Sequence, residues 1–536
     1  MNAAPENWTR PPGNAAGAAR AAGRLPLGAD GHESGAAITN EPTGIPGFDH
    51  VSMGGLPLRR STVVAGPAGA AKTLFAAQFL AGGVRRGQPG VFVTLEEPAV
   101  DLRANFATLG WDVRGWEDDG LWRFVDGSPL TAADPALRPE FDVENLAARI
   151  GAAVDRTGAR RLALDSLSAV LSLHPEPTTA RQLLRTLVLR LRAMDLTVVL
   201  TIETQDEPSG SLSGYGVEQF VADNVVLLRN IREGVFRRRT VEVLKVRGAM
   251  HHKGDVPFTI VPGEGLRVLP IAARPAAWRS GSRERISSGV PGLDELTHGG
   301  LFRHSTTLVS GPTGTGKTMM ATRFAADGVE SGETVLVMAY EESHAQVLAN
   351  GAALGCDFAG HQVPAGHRDP DGQPADGSAA GDGAGRGAIH VQSLYPEVAS
   401  LDDHLVEFHA LVERLRPSRV VLDGLSALER LGSEQAYRGF LLGVTTFVRS
   451  TGLATFITAT PPTVTAGSST AEQLTGLTDT IIALRHQEDG ATVHRGIHVQ
   501  RMRGSHHDTT IRTLLIDEHG VTVGDPLPGR CTSTSP

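Results

Sequence analysis

Gly311-Pro312-Thr313-Gly314-Thr315-Gly316-Lys317-Thr318 has the required residue at each position of a phosphate-binding loop. Its glycines let successive backbone N–H groups converge on phosphate oxygens, and the N-terminus of the following helix favours the same negative charge. In such a loop Lys317 is expected to reach the outer phosphates and the Thr318 hydroxyl to hold Mg²⁺, with Met319 next in the chain. The alternative is a Gly-rich turn without a ligand. An apolar strand before the loop, a helical stretch after it and a second copy of the whole context argue against that.

The second copy is visible further out. Thr43-Gly44-Ile45-Pro46-Gly47-Phe48-Asp49 recurs as Ser288-Gly289-Val290-Pro291-Gly292-Leu293-Asp294, and both run through Gly-Gly-Leu into an apolar strand and a Gly-rich loop. Lys72 and Lys317 are 245 positions apart, as are Glu96 and Glu341, whereas Asp165 and Asp423 are 258 apart. A constant offset followed by one step marks a duplication with an insertion in the second copy, at about 361–388. The earlier loop reads Gly66-Pro67-Ala68-Gly69-Ala70-Ala71-Lys72-Thr73, followed by Leu74. Ala71 stands where the glycine before the lysine is expected. If that position needs a positive φ, the methyl costs about 1 kcal/mol and crowds the phosphate. A working site with altered affinity competes with a degenerate one, and the intact surroundings favour nucleotide binding.

Each copy alternates β-branched runs with amphipathic stretches, which predicts parallel strands joined by crossover helices. In the first copy the predicted strands are Ser61–Ala65, Gly90–Leu95 and Arg161–Asp165, and the predicted helices Lys72–Arg86 and Val143–Thr157. Asn224–Arg229 and Thr240–Val246 read as adjacent strands, as do Thr480–Leu484 and Ile497–Met502. The expected fold class is α/β: two tandem RecA-like domains over 38–271 and 286–524, each a mainly parallel sheet flanked by helices. Residues 1–37 read as a disordered arm, 272–285 as a linker, 361–388 as a surface insertion and 525–536 as a frayed tail.

Both loops are followed by a strand that ends in paired carboxylates, Glu96-Glu97 and Glu341-Glu342. At the carboxyl edge of a parallel sheet such groups face the ligand crevice, where one can orient and deprotonate the attacking water or hydroxyl. Two further apolar strands end in Asp165 and Asp423, the Mg²⁺-supporting position of such ATPases. Near each domain end lie Lys245-Val246-Arg247 and Arg501-Met502-Arg503, either exposed basic hairpins or cations that neutralise phosphate charge as arginine fingers do. Arg237-Arg238-Arg239 reads as a solvated strand edge and the best foothold for nucleic acid. His251-His252 and His506-His507 lack the companions of a ligand quartet, so no transition metal is expected.

The 536 residues carry a formal charge of −9 and 40% hydrophobic residues, which suits cores of ordinary size and argues against nonspecific binding to nucleic acid or anionic membrane. Cys356 and Cys531 make no disulfide framework, so a reducing cytoplasm is expected. No leader pattern and no apolar run of membrane-spanning length is present, and neither secretion nor membrane spanning is expected.

Together these residues resemble the KaiC family of circadian-clock ATPases and autokinases over roughly 38–523. The resemblance extends to stretches outside the loops, such as PGVFVTLEEP (89–98), LKVRGAMHHKGDVPFTI (244–260), AYEESHAQVL (339–348) and MRGSHHD (502–508). It implies a homohexamer of two stacked rings, with ATP and Mg²⁺ at subunit boundaries. Hydrolysis is implied in the first ring, and transfer of phosphate to the protein's own Ser/Thr residues in the second. It also implies that Glu96 and Glu97 are the catalytic carboxylates of the first site, and that Glu341 is the general base of the second and a Mg²⁺ contact, with Glu342 beside it. Lys245, Arg247 and His251 would reach the first nucleotide from a neighbouring subunit, and Arg495, Arg501, Arg503, Ser505 and His507 the second. The family's acceptor pair aligns with Thr475-Gly476 just before Thr478-Asp479-Thr480, which leaves Thr475 and Thr478 as candidate phosphoacceptors. Leu354 replaces the aromatic residue expected near the second adenine, which removes stacking but keeps an apolar contact. The sequence ends soon after Val523, so the family's activator-binding tail is not expected. A nucleic-acid-dependent RecA-like ATPase and an ATP-dependent assembly scaffold are the rival readings.

Overall fold

The computed structural model describes residues 39–128, 142–173, 176–204, 222–233, 236–269, 283–363, 387–461, 474–489, 492–517 and 520–527. The predicted arm and most of the predicted linker, insertion and tail lie outside these residues.

The repeated motif is a turn that clamps the helix behind each phosphate loop. Asp49 accepts from Thr43 N at 2.9 Å and from Thr43 Oγ1 at 2.6 Å, and Asp294 accepts from Ser288 N at 2.9 Å. Gly44 and Gly289 adopt left-handed backbone, with φ 76° and 72°. A Cβ on Gly44 would lie 2.5 Å from Gly82 Cα, and one on Gly289 would lie 2.4 Å from Arg323 O. Conformation and close approach both demand glycine there. The clamped helices are Lys72–Val84, buried on every side from Phe75 onward, and Lys317–Glu330, which buries a broad face through Met320, Phe324 and Ala325.

Each helix lies on a sheet of nine strands, and the two sheets share one order. In the first it runs Gly265–Val268, Val256–Val261, Phe236–Val246, Asn224–Glu233, Ser61–Gly66, Thr197–Glu203, Arg161–Asp165, Gly90–Thr94, Trp122–Asp126. The second, in the matching direction, runs Gly520–Pro526, Arg512–Asp517, Thr492–Met502, Thr480–Asp489, Thr306–Ser310, Ala454–Ala459, Arg419–Asp423, Thr334–Ala339, Ala388–Ser393. Neighbours within the last six strands of each series run parallel, and the strands before them are added antiparallel. The expected α/β class with an added β region is the observed one.

Arg161–Asp165 and Val143–Thr157 occur with the predicted bounds. The helix predicted to Arg86 stops at Val84. The late strands are longer than their apolar cores implied, Asn224–Glu233 with Phe236–Val246 and Thr480–Asp489 with Thr492–Met502, because antiparallel pairing carries the ladder into polar residues. Three edges of the predicted loops are ordered too. Arg285 pairs with Phe302, Ala388 with Thr334, and Asp525–Pro526 closes the strand from Gly520.

Arg161 and Arg419 open equivalent strands and are almost wholly buried, at 0% and 2% exposure. Arg161 pairs with Glu41 at 3.0 Å, donates to Phe79 O at 2.9 Å and lies over the Phe79 ring. Arg419 pairs with Glu333 and, at 2.9 Å, with Asp327, and lies over the Phe324 ring. A buried guanidinium with its donors committed ties strand, loop helix and N-terminal segment together.

The domains meet through the outer strands of the first and the helix Leu401–Leu415 of the second. Leu269 packs into the second domain's core, Arg238 pairs with Asp402 at 3.1 Å and Thr259 donates to Asp403 at 2.7 Å. Burial pushes the Asp402 carboxyl up to about 6 against the pull of Arg238. Arg238 is therefore an interface residue, not the solvated edge expected from its sequence. Among the described residues no helix is long and apolar enough to cross a membrane.

Candidate functional site

Each loop leaves the carboxyl end of the strand at the centre of its sheet, Ser61–Gly66 or Thr306–Ser310. Ala71 and Gly316 both adopt left-handed backbone just before the lysine, with φ 69° and 102°. The loop shape thus survives the alanine, at a strain of about 1 kcal/mol. A Cβ on Gly316 would come within 2.6 Å of Ile516 Cδ1, whereas the Ala71 methyl packs against the first domain's core. Lys72 Nζ donates to Pro67 O at 2.9 Å, and Lys317 Nζ donates to Gly311 O at 2.7 Å and Pro312 O at 3.0 Å. Burial lowers both lysines' pKa against the pull of nearby carboxylates. The partly buried side chains of Leu74 and Met319 pack against the cores.

Register brings the acids to the same edge. Thr94 pairs with Asp165 and Ala339 with Asp423, so each glutamate pair follows directly beside an aspartate. Thr73 Oγ1 donates to Asp165 Oδ2 at 2.8 Å, and Thr318 Oγ1 to Asp423 Oδ2 at 3.1 Å. Glu96 and Glu341 have raised pKa values, first through burial and then through Asp165 or Asp423; Glu97 and Glu342 are raised by the same two causes. Asp165 and Asp423 are likewise raised by burial, against hydroxyl donors that favour the charged form. Carboxylates crowded in this way, beside a hydroxyl and with no thiolate, suit a hard divalent cation completed by phosphate and water oxygens. Thr73 with Asp165, and Thr318 with Asp423 and Glu341, are the residues that could hold it.

The predicted cations lie elsewhere. Lys245 pairs with Val225 and Val246 with Asn224, and Asn224 is level with Thr62 at the start of the loop strand. Met502 likewise pairs with Thr480, which is level with Thr307. Lys245, Arg247, Arg501 and Arg503 therefore sit at the amino edge of the sheet, a strand length of roughly 15 Å from the loop of their own domain. Lys245 Nζ donates to Ala222 O at 3.0 Å, and Arg247 approaches Asp223 at 3.6 Å. Arg501 donates to Thr478 O at 2.7 Å and to Thr475 O, and Arg503 to Gly476 O at 3.0 Å. His251 Nδ1 lies 3.1 Å from His252 O, Ser505 Oγ accepts from Arg285 at 2.5 Å, and His507 Nδ1 is buried without a hydrogen-bond partner among the described residues. Val246 and Met502 pack their side chains inward.

Arg495 departs from the expected group. It pairs with His486 at the carboxyl end of the sheet and donates to Gly314 O of its own loop at 3.1 Å. An antiparallel strand spans both edges, so residues six positions apart on it cannot all face one site. Thr478 is fully buried and its hydroxyl donates to Leu474 O at 3.0 Å, whereas Thr475 is exposed beside Arg501. Leu354 is packed into the second core.

Several residues with a part in the site were missed. Thr201 and Thr458 donate to Asp165 and Asp423, the latter at 2.6 Å. Glu203 ends the strand beside the first loop, level with Gly66, and its charge acts on Lys72 and Glu96. Its backbone N donates to Ser168 Oγ at 2.8 Å, as Thr460 N donates to Ser426 Oγ at 2.9 Å, so threonine takes its place in the second domain. An apolar strand ending in an acid was the available signal for Glu203. Asn105 and Asn350, 245 positions apart like the loop lysines, donate to Glu97 Oε2 at 3.5 Å and Glu342 Oε2 at 2.8 Å.

Comparison with known proteins agrees with this doubled arrangement. The family model described as the KaiC ATPase matches residues 41–273 and again 286–527. The chain is 42% identical over 486 residues to the circadian clock protein KaiC3 of Synechocystis, covering 90% of this chain and 92% of that one. It is 39% identical over 498 residues to the circadian clock oscillator protein KaiC of Thermostichus vulcanus, covering 92% and 90%. With the KaiC of Acaryochloris marina the identity is 39% over 488 residues, covering 90% and 88%. The chain belongs to the KaiC family of ATPases and carries two copies of its nucleotide-binding domain in tandem.

Proposed function

We propose that each domain binds ATP with Mg²⁺ on its loop and hydrolyses it at a boundary between copies of this chain, within a homohexameric timing or signalling module. The observation that carries this reading is the separation of parts. Loop, lysine and acids share the carboxyl edge, while Lys245, Arg247, Arg501 and Arg503 share the amino edge, too far to serve the same domain's loop. A neighbour stacked head to tail around a ring brings one edge to the other.

At each site the loop N–H groups and Lys72 or Lys317 hold the β- and γ-phosphates. Thr73 with Asp165, and Thr318 with Asp423 and Glu341, would hold Mg²⁺, which would supply neutralisation of charge on the phosphate oxygens. Glu96 and Glu341, made more basic by burial and by the neighbouring aspartate, orient the attacking water and accept its proton. Glu97 and Glu342 stand beside them, and the neighbour's Lys245 and Arg247, or Arg501 and Arg503, stabilise charge on the transferred group. Arg495 serves its own chain's loop. In the second domain Thr475, exposed on the same edge as Arg501, is the hydroxyl placed to take phosphate from a neighbour's ATP; Thr478, sealed inside, is not.

Incubation with Mg-ATP, followed by phosphate-release assay and intact-mass measurement on one sample, tests the reading. Phosphate release, together with a single added phosphate that Thr475→Ala abolishes, is expected. No release refutes the ATPase assignment. Release with unchanged mass refutes only the autokinase part.

A further inference from the structure

Each site presents two adjacent glutamates, yet one base suffices for a single attacking water. In the second domain the two differ in surroundings. Glu341 lies against Gly424, directly after Asp423: a Cβ on Gly424 would stand 2.8 Å from Glu341 Cγ. Glu342 precedes the N-cap Ser343 of the helix His344–Ala353, and Asn350 sits two turns along on the same face, donating to Glu342 Oε2 at 2.8 Å. Burial and then the charge of Asp423 raise the Glu342 pKa, so its carboxyl lies within electrostatic reach of the same aspartate that Glu341 flanks. The first domain repeats the device eight residues after its own second glutamate, with Asn105 and Glu97 at 3.5 Å. Two copies that otherwise differ around the carboxylates, with Ser166 hydrogen-bonded to Glu96 where Gly424 borders Glu341, have both kept the asparagine.

We propose that Asn350 and Asn105 are positioning residues that hold the second glutamate of each pair aside, so that only the first faces the phosphate loop. This rests on the hydrolytic reading above. The competing explanation is a purely structural tie between helix and preceding turn.

The test uses the full chain with the first site silenced by Glu96→Gln and Glu97→Gln, and reads steady-state ATP hydrolysis. Asn350→Leu keeps the volume but has no donor, and should lower kcat about tenfold with KM changed less than about twofold. Asn350→Gln retains the amide and should keep most of kcat. Asn350→Asp, nearly the same shape but repelling Glu342, should lose at least as much as the leucine variant, and serves in its place if that variant fails to fold. Asn105→Leu, with the second site silenced by Glu341→Gln and Glu342→Gln, should show a smaller loss, in keeping with its longer bond. Equal kcat for the leucine and glutamine variants, or a change confined to KM, overturns the positioning role alone. A silenced parent that releases no phosphate overturns the hydrolytic reading along with it.

Discussion

With the first site silenced by Glu96→Gln and Glu97→Gln, the further change Glu341→Gln lowers ATP hydrolysis by about 100- to 10,000-fold and leaves ATP affinity within a few-fold. The amide matches the carboxylate in shape but cannot take the proton. Affinity resides in the loop amides and Lys317, which the change does not touch. Mixing this variant with an Arg503→Ala chain should restore part of the activity. In a mixed ring some sites join the intact Glu341 of one chain to the intact Arg503 of the next, because these residues sit on opposite edges of the sheet. Phosphate release from the mixture above the sum of its separate components is the expected reading. A mixture no more active than that sum contradicts shared sites.

Arg419→Ala is expected to be the most destabilising single change, at about 3–5 kcal/mol. It removes a guanidinium exposed by only 2% and leaves Glu333 and Asp327 without their shared partner. For a domain of this size that lowers the second domain's thermal midpoint by roughly 10 °C. Burial alone would raise the Glu333 pKa, but hydrogen bonds and charge from Arg419 and then Arg303 hold it below its ordinary value. A carboxyl depressed in the folded state stabilises above its unfolded pKa, and that contribution disappears as pH falls through the folded value. Calorimetry should therefore show the two proteins well apart at neutral pH and closer together below about pH 4. A constant gap across that range, or a shift of under about 2 °C at neutral pH, would contradict the buried-pair account.

The fold was legible because the loops, the duplicated turn and the apolar strands each carry a strict local requirement. Gly44 and Gly289 show this: left-handed backbone and contact with the loop helix both exclude a side chain. Asp165 and Asp423 were legible because they end apolar strands, and the glutamate pairs because they follow such strands at the same place in both copies. Pairing register was not. The lateness of Arg495, Arg501 and Arg503 in the chain gave no sign that an antiparallel strand would carry the first to one edge and leave the others on the opposite one. Nor could local sequence show that Thr478 is sealed, that Arg238 meets Asp402, or that Leu354 belongs to the core, since each depends on long-range packing. Thr201 and Thr458 were overlooked because a threonine within a strand looks like ordinary β-propensity until the neighbouring aspartate is seen.

Equilibrium dialysis of the whole chain with labelled ATP and Mg²⁺ tests most directly whether both loops are nucleotide sites, the one containing Ala71 included. Two ATP per chain, falling to one for Lys72→Ala or Lys317→Ala and to none for the double change, is the predicted result. Undiminished binding by the double variant, or no binding by the parent protein, would contradict it.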